Sequence, residues 1–193
     1  MSISERTQSL LRRNLSLEDA IPSRMPVFVN SVAYLFGALT LCALIVLVFT
    51  GVVMVIFGPN WYHHSGAGQF FNSMHFWCTQ VFFGALVLHI TTKFFMAAWR
   101  DGRWKAWIIG ILAFALFVPT ALTGFLSQTN FDSQWIAVQA KDALNALWVG
   151  SWLNTLNTGQ TLTIHIMALP LVGIILVIIH IFFVRREGPV KPI

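Results

Sequence analysis

The stretch "SMHFWCTQVFFGALVLHITTK", residues 73–93, decides the fold. It is apolar enough to lie in a bilayer, yet it contains His75 and His89. A strongly polar ring in hydrocarbon is costly and ordinarily has a function. The two histidines are fourteen residues apart. On an α-helix that interval returns a side chain to within about 40° of its starting direction, after a rise of roughly 21 Å. One helix therefore presents two imidazoles on nearly one face, well separated in depth.

Around this stretch the whole chain reads as a membrane protein. Of its 193 residues 56% are hydrophobic and only 10% are charged, where a soluble domain has about a quarter charged. Four segments reach the roughly 20 apolar residues that a span requires: residues 32–57, 74–99, 106–128 and 162–184. No secretory signal is expected, because the first apolar run is too long and lies behind a mostly polar segment. Eleven of the twelve Lys and Arg fall in the N-terminal segment, in the turn region from Lys93 to Lys105 that joins the second and third spans, or in the tail, and the twelfth is Lys141. By the positive-inside rule both termini and the turn between spans two and three face the inside. That is the cytoplasm-like side, and a bacterial inner membrane is the expected location. The net charge of +5 then records topology, and no nucleic-acid partner is expected.

The expected architecture is an all-α bundle of four transmembrane helices over residues 31–193. Residues 1–30 mix leucines with Arg and Ser, which suits an interfacial amphipathic helix on the inner surface. The long outer loop between spans three and four carries a helix-like run, "WIAVQAKDALNALW", at 135–148. Its tryptophans suit an interfacial belt, and a long loop with its own helix is also a place for a partner to dock. Cys42 and Cys78 match no paired metal or redox spacing and no haem-attachment motif. Both read as buried structural thiols.

His63 and His64 fall in the loop after the first span and receive no role. The other four histidines form a pattern. His165 and His180 lie on the fourth span, fifteen residues apart, so they share a face to within about 60° over roughly 22 Å. The second and fourth spans both run from outside to inside. By depth the histidines pair as His75 with His165 near the outer face and His89 with His180 near the inner face. A lone membrane histidine more often hydrogen-bonds a neighbouring helix, but two helices with matched pairs call for a common cause. Helix bundles hold cofactors between facing helices, and two facing imidazoles suit the axial positions of a haem iron. Zinc wants three or four protein ligands in one tetrahedral site, and each layer offers two.

Glycines repeat the interval. Gly37 and Gly51 on the first span, and Gly110 and Gly124 on the third, are each fourteen residues apart. Both spans run from inside to outside, so Gly37 and Gly110 share the inner histidine depth and Gly51 and Gly124 the outer one. Small residues commonly pack membrane helices. Here they also leave room for a flat cofactor beside the backbone.

With "HIMALP" at 165–170 added, the His and Gly pairs resemble the N-terminal four-helix half of cytochrome b, from cytochrome bc and bf complexes, in its split form. The likeness runs from "VN" at 29–30 to the basic tail "RREGPVKPI" at 185–193, and Trp107 and Gly110 after Arg103 resemble the start of the family's third helix. The resemblance implies two non-covalent b haems, with His75 and His165 the outer axial ligands and His89 and His180 the inner ones. It implies transmembrane electron transfer within a quinol oxidoreductase: quinol oxidised near the outer face, quinone reduced near the inner one, and protons translocated. The chain would be one subunit of a quinol:cytochrome c or similar oxidoreductase. The implied partners are a C-terminal cytochrome b half resembling subunit IV, a Rieske iron–sulfur protein and a c-type cytochrome, in a dimeric complex set in lipid.

The chain also departs from the family. Asn72–Ser73–Met74 stands where the family usually has an arginine before the first histidine, and Thr92 where one commonly follows the second. Lys93, Arg103 and Arg185 become the candidates for haem-propionate or inner-surface contacts. After Gly124 the chain reads "FLSQTNFD" rather than leucine–proline–tryptophan. Tyr34 occupies the position where chloroplast-type relatives attach an extra haem, so no covalent c-type haem is expected. Glu18 and Asp19 resemble an acidic pair near the inner quinone site. No catalytic residue is assigned. Two other functions compete. One is a dihaem membrane anchor linking quinone to a hydrogenase- or formate-dehydrogenase-like partner. The other is a haem-free scaffold or transporter whose histidines pass protons.

Overall fold

The computed structural model describes residues 32–128, 130–188 and 190. The proposed interfacial segment 1–30, with Glu18 and Asp19, lies outside the described residues, as does Lys191. Among the described residues all regular structure is helical, and four helical segments are long and apolar enough to cross a membrane.

The first, α1 (Val32–Phe57), carries no charge. It ends at Gly58, whose φ of 80° reverses the chain at a conformation that costs glycine little. Pro59 then opens the short α2 (Pro59–His64), where its missing N–H would be unsatisfied anyway. Ser65 caps α3 (Gly66–Phe95), its side chain accepting from Gly68 N at 2.9 Å. The cap starts this helix eight residues before the apolar run at 74, so Asn72 and Ser73 are helical. A turn through Ala97 and Asp101, both at positive φ, leads to α4 (Trp104–Leu126). Pro119 lies inside α4.

The connecting loop holds α5 (Phe131–Ala146), capped by Asn130 Oδ1 accepting from Ser133 N at 2.8 Å. It covers most of the expected 135–148 run. The last span is composite: α6 (Thr158–Thr163), a π-turn (Ile164–Ala168) and α7 (Leu169–Glu187). The π-turn has a local cause. Pro170 has no N–H to offer the carbonyl of Ile166, and the Leu169 N–H reaches back five residues to Ile164 O instead.

The spans pack as α1 against α3 and α4 against α7. Their outward faces expose large apolar side chains, among them Ile45, Ile56, Trp77, Leu171 and Ile178. Such a surface suits lipid, where every backbone polar group must be satisfied within the helix. Cys42 also faces outward, a correction to its expected burial, and Cys78 is half-buried with Sγ donating to Ala43 O at 3.4 Å. The core cluster of Ala43, Phe82, Leu86, Ala113 and Phe117 lies at mid-depth. Phe82 is seven residues from both His75 and His89, and Phe117 seven from both Gly110 and Gly124. Their rings meet edge-on at 5.0 Å.

Candidate functional site

The four histidines on the membrane-spanning helices form two layers, one on each side of this aromatic core. His75 and His165 lie toward the end that carries α2 and α5, the loop end. His89 and His180 lie toward the end that carries Lys93, Arg100, Arg103 and Arg185, the basic end. Ring centroids are 6.2 Å apart in the first pair and 6.5 Å in the second, with interplanar angles of 84° and 89°.

The spacing decides what the pairs can bind. An imidazole nitrogen binds a transition metal at about 2 Å and lies roughly 1 Å from its ring centre, so two rings sharing one metal between them stand about 6 Å apart. Both pairs match. Among the described residues no group of three or more His, Cys, Asp or Glu comes together to hold a metal ion, so tetrahedral zinc finds no ligand set here. The donors fit a metal whose other ligands come from a macrocycle.

Each histidine ring abuts one of the four glycines, and always at the depth expected. A Cβ on Gly37 would stand 3.0 Å from His89 Cε1, on Gly51 3.5 Å from His75 Cε1, on Gly110 2.9 Å from His180 Cε1, and on Gly124 2.5 Å from His165 Cε1. The glycines were expected to make room for a flat cofactor; in the structure their contacts are with the histidine rings themselves. In every pair Nε2 is the ring nitrogen farther from the glycine.

Hydrogen bonds at Nδ1 orient three of the rings. His165 Nδ1 donates to Thr120 O at 2.8 Å, and His180 Nδ1 to Ala106 O at 2.9 Å. Each carbonyl lies four residues before the facing glycine, Gly124 or Gly110. The missing side chain uncovers the carbonyl of the preceding turn. A carbonyl only accepts, so the proton is on Nδ1 and the Nε2 lone pair is left for a metal. His75 Nδ1 lies 2.8 Å from Thr50 Oγ1. That hydroxyl already donates to Val46 O at 2.8 Å, so it accepts from His75. His89 Nδ1 is buried with no hydrogen-bond partner.

A cavity of about 490 Å³ opens at the basic end, within the size range of small-molecule pockets. Gly37, His89, Gly110 and His180 line it, and so do Lys93, Arg103 and Arg185. Lys93 Nζ sits 3.3 Å over the Tyr34 ring, whose hydroxyl donates to Val190 O at 2.8 Å. Arg103 pairs with Asp101 at 3.3 Å. His63 and His64 lie apart from both layers on α2, where burial foremost, then the charge of His64, lowers the pKa of His63.

Two residues carry no assignment from the sequence: Thr50, and Gln128, whose side-chain amide pairs with that of Asn72 at 3.0 Å. Thr50 lies one residue before Gly51, and Gln128 four after Gly124. Their positions beside the repeated glycines were the available signal.

Comparison with known proteins gives a consistent result. Residues 80–193 match the family described as cytochrome b(N-terminal)/b6/petB. The chain is similar to cytochrome b6 of Heliomicrobium gestii, 25% identical over 197 residues that cover 91% of this chain and 92% of that one. It is similar to the menaquinol:cytochrome c reductase cytochrome b subunit of Bacillus subtilis (strain 168), 25% identical over 85% of this chain and 84% of that one. Its fold resembles a solved chain of a hyperthermophilic respiratory Complex III, with a TM-score of 0.73 at 19% identity. That match covers 95% of this chain and 53% of the other, so this chain spans about half its length.

Proposed function

Because the chain belongs to the cytochrome b(N-terminal)/b6/petB family, we propose that it passes electrons across the membrane through two non-covalent b haems. His75 and His165 would hold one, and His89 and His180 the other. The observation that carries this reading is the pair of imidazole–imidazole separations, 6.2 and 6.5 Å, each suited to one iron between two rings. Bound there, haem would supply one-electron chemistry, and holding it by the two imidazoles of a layer would favour electron transfer over ligand chemistry.

The protein's part is to hold, orient and insulate. The Thr120 and Ala106 carbonyls fix the tautomers of His165 and His180. Gly51 and Gly124, with Gly37 and Gly110, let the rings close on the backbone. Phe82 and Phe117 fill the space between the layers with apolar rings, which excludes water and keeps the two sites distinct. Lys93, Arg103 and Arg185 line the basic-end cavity, where cations suit the carboxylates of a haem. With the basic end inside, as the Lys and Arg distribution supports, the loop end faces the quinol-oxidising side.

The chain then works as the cytochrome b subunit of a quinol oxidoreductase. Quinol is oxidised near the loop end, quinone is reduced near the basic end, and proton translocation is coupled to both. A C-terminal cytochrome b half, a Rieske protein and a c-type cytochrome complete a dimeric assembly in a bacterial inner membrane. Glu18 and Asp19 are candidates for the inner quinone site.

The test is a reduced-minus-oxidised spectrum of the complex purified from membranes. Two b-type components are expected, and His89→Leu should remove one. An α-band absent from the wild type, or unchanged by His89→Leu, would sink the haem assignment. The co-purifying subunits decide the assembly. An iron–sulfur protein with a second cytochrome b chain supports it, and a molybdenum or nickel enzyme would replace it with the membrane-anchor function.

A further inference from the structure

Beyond the His75–His165 layer, toward the loop end, two amides from distant parts of the chain meet. Asn72 Nδ2 donates to Gln128 Oε1 and Gln128 Nε2 donates to Asn72 Oδ1, both at 3.0 Å. Asn72 lies three residues before His75, hence on the same face of α3 and one turn farther out. Gln128 follows Gly124 by four residues, just past the end of α4, and Gly124 abuts His165. The pair therefore spans the mouth of this layer. No cation is close along the chain: residues 58–92 and 106–140 contain no Lys or Arg. Lys141 is engaged, donating to the Gly150 carbonyl.

Haem carries carboxylates along one edge, and a carboxylate held in a largely apolar bundle needs donors or it must stay neutral. We propose that Asn72 and Gln128 are the seat for a haem carboxylate at the loop-end layer, a neutral seat where the basic end offers Lys93. The proposal rests on the haem reading above. In the reciprocal pair each amide satisfies the other. On loading, the pair opens and its N–H groups turn to the carboxylate. The exchange is favourable because a hydrogen bond to an ionised acceptor is roughly twice as strong as one between neutral groups. Nothing covalent changes.

The experiment uses the intact complex and two substitutions at one position. Gln128→Met keeps the length and removes the donor, and Gln128→Lys restores a donor but cannot rebuild the amide pair. Haem retention is followed by transfer to apomyoglobin, and the carboxylate bending band by resonance Raman. His75→Leu identifies the loop-end component. Gln128→Met should release the loop-end haem on the order of tenfold faster and shift its carboxylate band, with the basic-end haem unchanged. Gln128→Lys should bring retention back to the wild-type rate. Equal losses in the two variants, or a carboxylate band that moves in neither, would overturn the seat and leave the pair a clasp between α3 and α4. If Gln128→Met does not assemble, Asn72→Leu against Asn72→Arg repeats the comparison from α3, with the same outcomes decisive. A wild-type complex without b-type haem is a different failure, that of the underlying reading.

Discussion

The two histidine layers share a ring geometry and differ in what closes them. Past His75 and His165 stands a neutral amide pair. Past His89 stands the Lys93 ammonium, 3.3 Å over the Tyr34 ring. The positions correspond. Lys93 follows His89 by four residues and Tyr34 precedes Gly37 by three, just as Gln128 follows Gly124 by four and Asn72 precedes His75 by three. One frame thus builds two sites whose electrostatics diverge. A unit charge about 10 Å away, at an effective dielectric of 20, is worth roughly 1.7 kcal/mol. With haem in both layers, the half-buried Lys93 cation would make the basic end the better place for an added electron, so that charge rather than the flanking imidazoles would set the direction of transfer.

The strongest way to break this comparison is to remove one layer at a time. His165→Leu should abolish the loop-end spectral component and spare the other, and His180→Leu should do the reverse. Halved haem content with one surviving potential in each variant checks it by potentiometric titration. Loss of both components in either variant would show that the layers are not independent. Next come the glycines, which differ in how closely each meets its histidine ring. An added Cβ is closest at Gly124, 2.5 Å from His165, and most distant at Gly51, 3.5 Å from His75. Gly124→Ala should weaken the loop-end site by about 1–3 kcal/mol, the usual range for overpacking. Gly51→Ala should be close to neutral although it serves the same layer. Haem retention and thermal stability of the two variants, side by side, test the order.

A smaller change sharpens the electrostatic contrast itself. Lys93→Met keeps the bulk and deletes the charge, so the basic-end potential should fall by the equivalent of about 1–2 kcal/mol at that dielectric. Lys93→Arg should hold it. The loop-end potential should stay put in both, since it lies across the apolar core. A shift of equal size in both components would mean that Lys93 acts through the fold rather than through its charge.

The two histidine layers were legible in the sequence because their parts recur on helices at a fixed interval. Four histidines and four glycines at spacings of fourteen or fifteen survive any error in helix ends, and the family match agrees with the resemblance they suggested. The charge pattern likewise located the basic end. The Asn72–Gln128 bond was not legible, because it joins residues fifty-six apart through side chains that read as ordinary polar residues at a span's edge. The early start of α3 was hidden too. It depends on a serine cap at Ser65 and not on apolar periodicity. Thr50 offered only its place beside Gly51, since a membrane threonine usually bonds its own helix, as Thr50 also does.

The least legible feature is the difference between fourteen and fifteen. Read as a regular helix, the fourth span would set His165 and His180 about 60° apart, against about 40° for His75 and His89. The π-turn removes the discrepancy. Such a turn accommodates one residue beyond the α-helical repeat, so fifteen residues on this span keep the phase of fourteen on α3. That equivalence predicts a tolerated deletion. Deleting Met167, whose side chain points outward at 65% exposure, should return the segment to an α-helix with the phase intact. Alone, the deletion would leave Pro170 inside a regular helix at a cost of about 3 kcal/mol, so it is paired with Pro170→Ala. The double change should keep both haem components within experimental error of the wild type, the mildest outcome of the four. A matching deletion of Val81 in α3, which has no π-turn to absorb it, should turn His75 by about 100° relative to His89 and cost one site. If the Met167 deletion also loses the loop-end component, the extra residue does more than set phase, and the two ligand helices are not equivalent in the way their geometry implies.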